Sequence, residues 1–447
     1  MKNGLLFLLL LAPAAKAAEV FTLGLDRAEA AAKEHSLRAK AAAAEAEAAG
    51  DHGDAQFASL LPRLTLDGSY RYQSVVPQFS PVPGQPARPF GDHRATSIGP
   101  TVSWTLWDQG SLYQTWRAQQ ARASSSAAQS RLAALQAVLG ARLAYAQAQL
   151  AREQVLQLAD ALSLADAQDR DIQKRFKAGS ASRIDTLSSR QDALQRRRQF
   201  LQAQAEFGSA LRELFQLTGL GAGLDLARPF DARISSASAA GLAAPTVLVT
   251  LDDLSVVPPA LAAAESGKPD PAHPSVAAYE GQAEAARRSA SALQAGRGPT
   301  IKLNARASYD YPNGPVLESV TQKTVGLTAS LPLFEGRQTV RAVDEQKKLA
   351  GAAESRRELA AEELARDWDK ARVALGSLRE QLGVDEKSAA DADELARLVY
   401  LSYRTGSSNY LEVQSANLRA LEAKVQTART RAQILIQLAT LSALAQG

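Results

Sequence analysis

Two hydrophobic periods take turns along the chain, and each predicts a different element. Between residues 64 and 73, Leu64, Leu66, Tyr70 and Tyr72 alternate with Thr65, Asp67, Ser69, Arg71 and Gln73. A period of two with opposite chemistry on its two faces predicts a strand. The same alternation recurs at Ile98–Trp107, Ile301–Asp310 and Val325–Leu331. Elsewhere the period lengthens to that of a helix. No proline occurs between Pro100 and Pro229, and Gly140 is the only glycine from 111 to 174. Leu132, Leu135, Leu139, Leu143, Ala146 and Leu150 are spaced close to a heptad. Unbroken, residues 111–174 predict a helix of roughly 95 Å at ~1.5 Å per residue.

A return helix is expected over about 183–217. In the second half, helices are expected over about 275–296, 338–402 and 409–445. Leu364, Trp368, Ala371, Leu375, Leu378 and Leu382 mark one apolar seam, and Leu418, Leu421, Val425, Ala428, Ala432 and Leu435 another. An alanine-rich helix is expected near the start, about Leu25 to Leu61, with Asp26 as its cap and Pro62 as its stop.

The long helices are joined by two similar tips. One reads Arg175-Phe176-Lys177-Ala178-Gly179-Ser180-Ala181-Ser182-Arg183-Ile184-Asp185, the other Ser402-Tyr403-Arg404-Thr405-Gly406-Ser407-Ser408-Asn409-Tyr410-Leu411-Glu412. In each, a glycine follows an aromatic residue by three positions and ends the helix through a positive φ. Ser182 or Asn409 then caps the next helix, with Asp185 or Glu412 three residues on, as in a capping box. Phe176/Tyr403, Gly179/Gly406, Ile184/Leu411 and Asp185/Glu412 share one offset of 227 positions, as do Trp107 and Phe334. Pro62-Arg63-Leu64 matches Pro299-Thr300-Ile301 at 237, so the first copy carries ten extra residues, assigned to the proline-rich loop at 77–93. The chain reads as an internal duplication. Its divisions are 1–18, 19–218 (first repeat), 219–274 (a Gly- and Pro-rich linker) and 275–447 (second repeat). Thr246–Thr250 is a candidate short strand packed on the outside of the body.

Composition narrows the chemistry. Residues 1–18, with Lys2, an apolar run from Leu5 to Ala12 and small residues before Glu19, read as a secretory signal. The absence of cysteine excludes disulfides, thiolate catalysis and cysteine metal sites. The four histidines lack metal-ligand spacing, and the formal charge of +4 is too small an imbalance for a nucleic-acid footprint. No nucleophile–base pair stands out, and the glycines at 219, 221 and 223 lack the strand and helix of a phosphate loop. No catalytic residue, cofactor or metal is expected.

Four strands of about ten residues have the length of membrane-spanning strands, yet four cannot close a barrel. Strands from several chains, closing one barrel, remove the two free edges.

In the joint order of helix, hairpin, long helix, tip and helix, twice over, with Phe/Tyr-x-x-Gly tips, almost the whole chain after residue 18 resembles the TolC family of outer-membrane efflux channels. That resemblance implies a mostly α fold with a membrane part: a homotrimer with a twelve-stranded barrel and a long periplasmic α-helical barrel. It implies partners as well: outer-membrane lipid, a periplasmic adaptor and an inner-membrane transporter. It matches Tyr403 to a gate tyrosine, Asp185 to its acidic partner and Glu412 to a carboxylate ring facing the pore. Phe176, Gly179, Arg183, Arg404 and Gly406 complete the tips, and Tyr70, Tyr72, Trp104, Trp107 and Phe334 fit a membrane-interface girdle. The family's arginine two residues past the second-tip glycine is here Ser408, leaving Arg404 or Arg183 to substitute. Helix capping alone also explains Gly179, Gly406, Asp185 and Glu412. The competing function is a soluble periplasmic coiled-coil scaffold.

Overall fold

The computed structural model describes residues 19–80, 86, 88–231, 247–263, 265, 267–314 and 316–445. The signal reading of residues 1–18, and Thr246, lie outside them. In chain order the elements are β1 (Glu19–Leu23), α1 (Leu25–His35), α2 (Leu37–Ala58), β2 (Arg63–Tyr72), β3 (Gln78–Phe79), β4 (Arg88–Pro89) and β5 (Arg94–Trp107). Then come α3 (Ser111–Lys177), α4 (Arg183–Thr218), β6 (Pro229–Asp231), β7 (Val247–Leu251), α5 (Pro259–Ala263) and α6 (Pro274–Ala295). The chain ends with β8 (Thr300–Tyr311), β9 (Val320–Ser330), α7 (Gln338–Thr405) and α8 (Tyr410–Ala445). Helix α3 has 67 residues and α7 has 68, so each runs for about 100 Å.

The chain divides into two compact units: Met1–Ala39, Ala134–Asp270 and Leu364–Gly447 form one, Lys40–Ala133 and Pro271–Glu363 the other. The first unit holds the main core. Phe207, Leu211 and Leu214 of α4 meet Tyr145 and Val155 of α3, Trp368 and Leu375 of α7, and Leu438 and Leu441 of α8. The seam read from Leu364 to Leu382 is thus a core-facing stripe. A parallel sheet of order β1-β7-β6 closes one side of this core.

Here the structure departs from the sequence reading. β7 is the central strand, and Val247, Val249 and Leu251 are fully buried. It is part of the core rather than an outside appendage, because the linker brings it back between β1 and β6. The N-terminal helix is also not continuous. It breaks at Ser36, whose Oγ accepts the amide of Ala39 at 3.2 Å and so starts α2. Asp26 is not the cap of α1. That helix is capped from the linker by Asp252, whose Oδ2 accepts the Leu25 amide at 3.0 Å. Tyr145 Oη lies 2.8 Å from the same carboxylate oxygen, and Gln149 and Arg152 donate to the Asp252 carbonyl. A further buried tie joins α1 to α3 and α8: Arg142 grips Glu29 through two bonds of 2.8 and 3.0 Å and donates to Ser442.

The second unit is built on a four-stranded antiparallel sheet of order β2-β5-β8-β9. Its helices are α2, α6 and the sheet-proximal parts of α3 and α7. Gly281 of α6 lies so close to α3 that a Cβ there would sit 2.9 Å from Ser125. Part of the proline-rich segment at 77–93 is a two-residue ribbon, β3 with β4, rather than loop throughout.

Candidate functional site

The sheet's two faces differ in kind, and the strand register shows how. Leu64 lies opposite Val102, which lies opposite Ala305, which lies opposite Val325. One row further along are Trp104, Leu303 and Leu327. This face is apolar and open: Leu64, Leu66, Val325 and Leu327 are each about 70% exposed. Next to solvent, such a contiguous apolar surface is too large to be incidental.

The opposite face is polar and carries its own hydrogen bonds. Arg306 donates to Ser97 Oγ at 2.8 Å, and Ser97 and Ser308 donate to the two oxygens of Asp310 at 2.5 and 2.9 Å. Thr65 donates to Asp67. The edge strands β2 and β9 have no second neighbour among the described residues.

The aromatic residues collect at the ends of the apolar face. Tyr70 and Tyr72 lie at the loop end, with Tyr72 stacked on His93 at 6.2 Å. Trp104 sits at the helix end, where its indole donates to the Leu60 carbonyl. Strict alternation would turn Trp107 onto the polar face beside Thr105. A bulge between Thr105 and Trp107 sets Trp107 opposite Ile301, on the apolar face. Phe334 is 90% exposed but lies beyond β9, which ends at Ser330, so it does not end a strand as Trp107 does. What the two positions share is the turn that follows. Gln109 and Gly110 adopt left-handed backbone, as do Gly336 and Arg337 at the same offset.

The tips are two copies of one turn. The Ser180 amide bonds the Arg175 carbonyl and the Gly179 amide the Phe176 carbonyl; Ser407 to Ser402 and Gly406 to Tyr403 repeat the pattern. These are the paired bonds of a Schellman motif, with Gly179 at φ 75 and Gly406 at φ 86. Helix α4 then starts on a complete capping box: Ser182 Oγ accepts the Asp185 amide at 3.0 Å and Asp185 accepts the Ser182 amide at 3.1 Å. Asn409 caps α8 through the Glu412 amide, and its side-chain amide also holds the Glu412 carboxylate.

Asp185, Gly179, Gly406 and Glu412 therefore all perform capping within the chain. Arg183 lies 5.9 Å over the Phe176 ring. Tyr403 packs edge-on to Tyr410 at 5.6 Å, against Ile172 and Val413. Burial, followed by the negative charge of Asp185, pushes the Tyr403 hydroxyl above its ordinary pKa. Ser408 bonds Ser402 within its own tip.

The link between the two tips runs through Asp171 and Tyr400, which the sequence reading did not single out, together with Arg175 and Arg404, which it named. Asp171 Oδ2 accepts from Arg175 Nε at 3.0 Å and from Tyr400 Oη at 3.0 Å, while Arg175 Nη1 donates to the Arg404 carbonyl. First-repeat helix α3 is thereby tied to second-repeat helix α7. Burial acts to raise the Asp171 pKa, but the bonds from Tyr400 and Arg175 and the charges of Arg175 and Arg404 hold it below the ordinary carboxylate value. Burial, and then the bond to Asp171, push Tyr400 up to about 12. Deeper in, Asp192 is buried against Arg196 at 3.5 Å, and burial raises its pKa. The Tyr410 hydroxyl is buried there without a hydrogen-bond partner among the described residues.

A sequence profile described as outer membrane efflux protein matches residues 28–220 and 272–446, one match per repeat. The chain belongs to that family, the TolC family. No curated protein sequence matches the chain.

Three solved structures share the fold of this efflux protein over nearly its whole length. The outer membrane protein VceC of Vibrio cholerae is 17% identical, with a TM-score of 0.73 over 95% of this chain and 96% of its own. The CmeC outer membrane channel of Campylobacter jejuni is 15% identical, with 0.73 over 94% and 85%. The open-state MtrE outer membrane channel of Neisseria gonorrhoeae is 18% identical, with 0.71 over 95% and 89%. The efflux protein is accordingly an outer-membrane transport protein of mostly helical, duplicated architecture. Its apolar sheet face is the side suited to lipid and its polar face the side suited to water. Among its described residues, no helix is long and apolar enough to cross a membrane.

Asp171 and Tyr400 were missed in the sequence because neither lies in the duplicated motif. The residues at the common offset from them are Leu398 and Gln173, which cannot make the same bond.

Proposed function

We propose that this efflux protein is the outer-membrane exit duct of a tripartite efflux or type I secretion assembly, working passively as a homotrimer. Its four-stranded sheets join edge to edge into a twelve-stranded barrel in outer-membrane lipid. The long helices form the periplasmic part, and the tips form an aperture facing a periplasmic adaptor and an inner-membrane transporter. The observation that carries this reading is the sheet: apolar and exposed on one face, hydrogen-bonded and charged on the other, and open at β2 and β9. Open edges are a liability unless another chain pairs with them.

Two unpartnered helix stripes favour a second copy. On α4, Leu187, Leu194 and Leu201 recur every seven residues and are more than half exposed. On α7, Val373, Val384 and Leu395 recur every eleven and are also exposed. Both spacings keep residues on one line of a long helix. A soluble scaffold would have no use for the apolar sheet face.

In this reading the aperture opens when the α7–α8 pair moves against α3–α4, breaking the Asp171–Tyr400 and Arg175–Arg404 links. Tyr403, Asp185 and Glu412 face neighbouring copies across the aperture, and Arg183 and Arg404 supply the positive charge that Ser408 lacks. The test is the mass of the detergent-extracted complex together with single-channel conductance in a planar bilayer. A trimer with small, flickering conductance that rises in Tyr403→Phe, Asp185→Ala or Asp171→Asn is expected. A water-soluble protein without conductance would return the chain to the scaffold reading.

A further inference from the structure

The polar face of the β2-β5-β8-β9 sheet carries more positive than negative charge, and the surplus is concentrated at one end. The register assigns Arg63 and Arg71 of β2 and Lys302 and Arg306 of β8 to this face, against Asp67 and Asp310. Four bases therefore oppose two acids. β5 and β9 add only neutral residues here, among them Ser103, Thr105, Thr324 and Thr328.

The two acids are already engaged. Asp310 accepts from Ser97 and Ser308, and Ser97 in turn accepts from Arg306. Asp67 accepts from Thr65 and lies within the fields of Arg306 and Arg63. Arg306 thus serves both acids. At the helix end of the sheet, Lys302 stands between Thr105 and Thr328, and Arg63 stands opposite Ser103. Both are exposed; among the described residues no salt bridge involves either, and Arg63 acts on Asp67 only through its field. Lys323 is also basic, but it pairs with Ala307 and belongs to the apolar face.

A strand face that must line water in a membrane barrel has no need of unpaired bases for stability. Charges on a low-dielectric wall focus field into the enclosed water and select the sign of what passes. We propose that Arg63 and Lys302 form a cationic belt inside the barrel, at its junction with the helices, and that this belt makes anionic small solutes the favoured cargo. The proposal deepens the duct reading above and rests on it. A belt of this kind reaches a Debye length into the pore, about 8 Å at physiological salt, so its preference weakens as salt rises.

The test is the reversal potential of the full-length trimer in a planar bilayer under a potassium chloride gradient. Because the aperture carboxylates Asp185 and Glu412 lie in series with the belt, the readout is the shift between wild type and variant, which is expected to shrink at high salt. The double variant Lys302→Glu/Arg63→Glu is expected to lower the chloride-to-potassium permeability ratio at least about twofold. Lys302→Arg and Lys323→Gln, one conserving charge and the other acting on the opposite face, should leave it unmoved. Trimer mass, measured on each variant, separates lost selectivity from lost folding. A correctly assembled double variant with an unmoved reversal potential overturns the belt. A trimer that inserts and passes no current in any variant counts instead against the duct itself, and removes the belt with it.

Discussion

Asp171 shows how one carboxylate can tie two repeats whose sequences do not announce it. It holds Arg175 on its own helix and Tyr400 on α7. Tyr400→Phe removes one hydrogen bond to a charged acceptor, a loss of about 1.5 kcal/mol, and should deprotect the last turns of α7 in hydrogen exchange. The pH dependence has a definite sign. A carboxyl whose folded pKa is depressed stabilises the fold above its unfolded pKa, near 4, and loses that contribution as acid protonates it. Protection of the α7 end should therefore fall below about pH 4 in the wild type, and show less of that dependence in Tyr400→Phe. At Gly179 and Gly406 nothing crowds an added Cβ, so Gly→Ala there is opposed by backbone strain alone. About 1 kcal/mol per tip is expected, read as earlier local opening of the turn. Gly99 is the opposite case. A Cβ there would lie 1.9 Å from the Ala307 carbonyl oxygen, so Gly99→Val should disrupt the sheet and with it the proposed trimer, read as loss of the high-mass detergent complex.

At the scale of elements, what decides is how a helix or strand ends. Helix α1 relies on Asp252 for its first amide, and α1 is bound to α3 by the Arg142–Glu29 pair. Glu29→Ala leaves Arg142 buried and uncompensated, and about 3 kcal/mol of destabilisation is expected, measured as a lower unfolding midpoint. The α4 stripe makes a different demand. Leu194 is 58% exposed within one chain, so Leu194→Arg should leave the chain's own fold intact while shifting the detergent complex of the proposed duct from trimer toward monomer. Long helices, strands and tips were legible in the sequence because each rests on local periodicity or a local cap. Ser36 and the β7 position were not. Ser36 acts through a local bond to Ala39 hidden inside one alanine-rich run, whereas β7 depends on contacts between residues more than two hundred positions apart, such as Glu19 with Val247.

For the whole molecule, the order of the duplicated elements and their tips carries the resemblance to the TolC family, and through it the reading of an outer-membrane duct. The amino-acid sequence determined by itself that there are two repeats, four long strands, two pairs of very long helices and two glycine-ended tips. Each follows from a period or a cap that a few neighbouring residues encode. It also placed Tyr70 and Tyr72 on one strand face with Leu64 and Leu66. Only the tertiary structure decided that a bulge turns Trp107 to that same face, because a bulge depends on the partner strand and not on the strand alone. Only the tertiary structure joined the tips through Asp171 and Tyr400, and capped α1 from the linker. Hydrogen bonds between distant segments leave no periodic trace in a sequence; they exist once packing has brought the segments together.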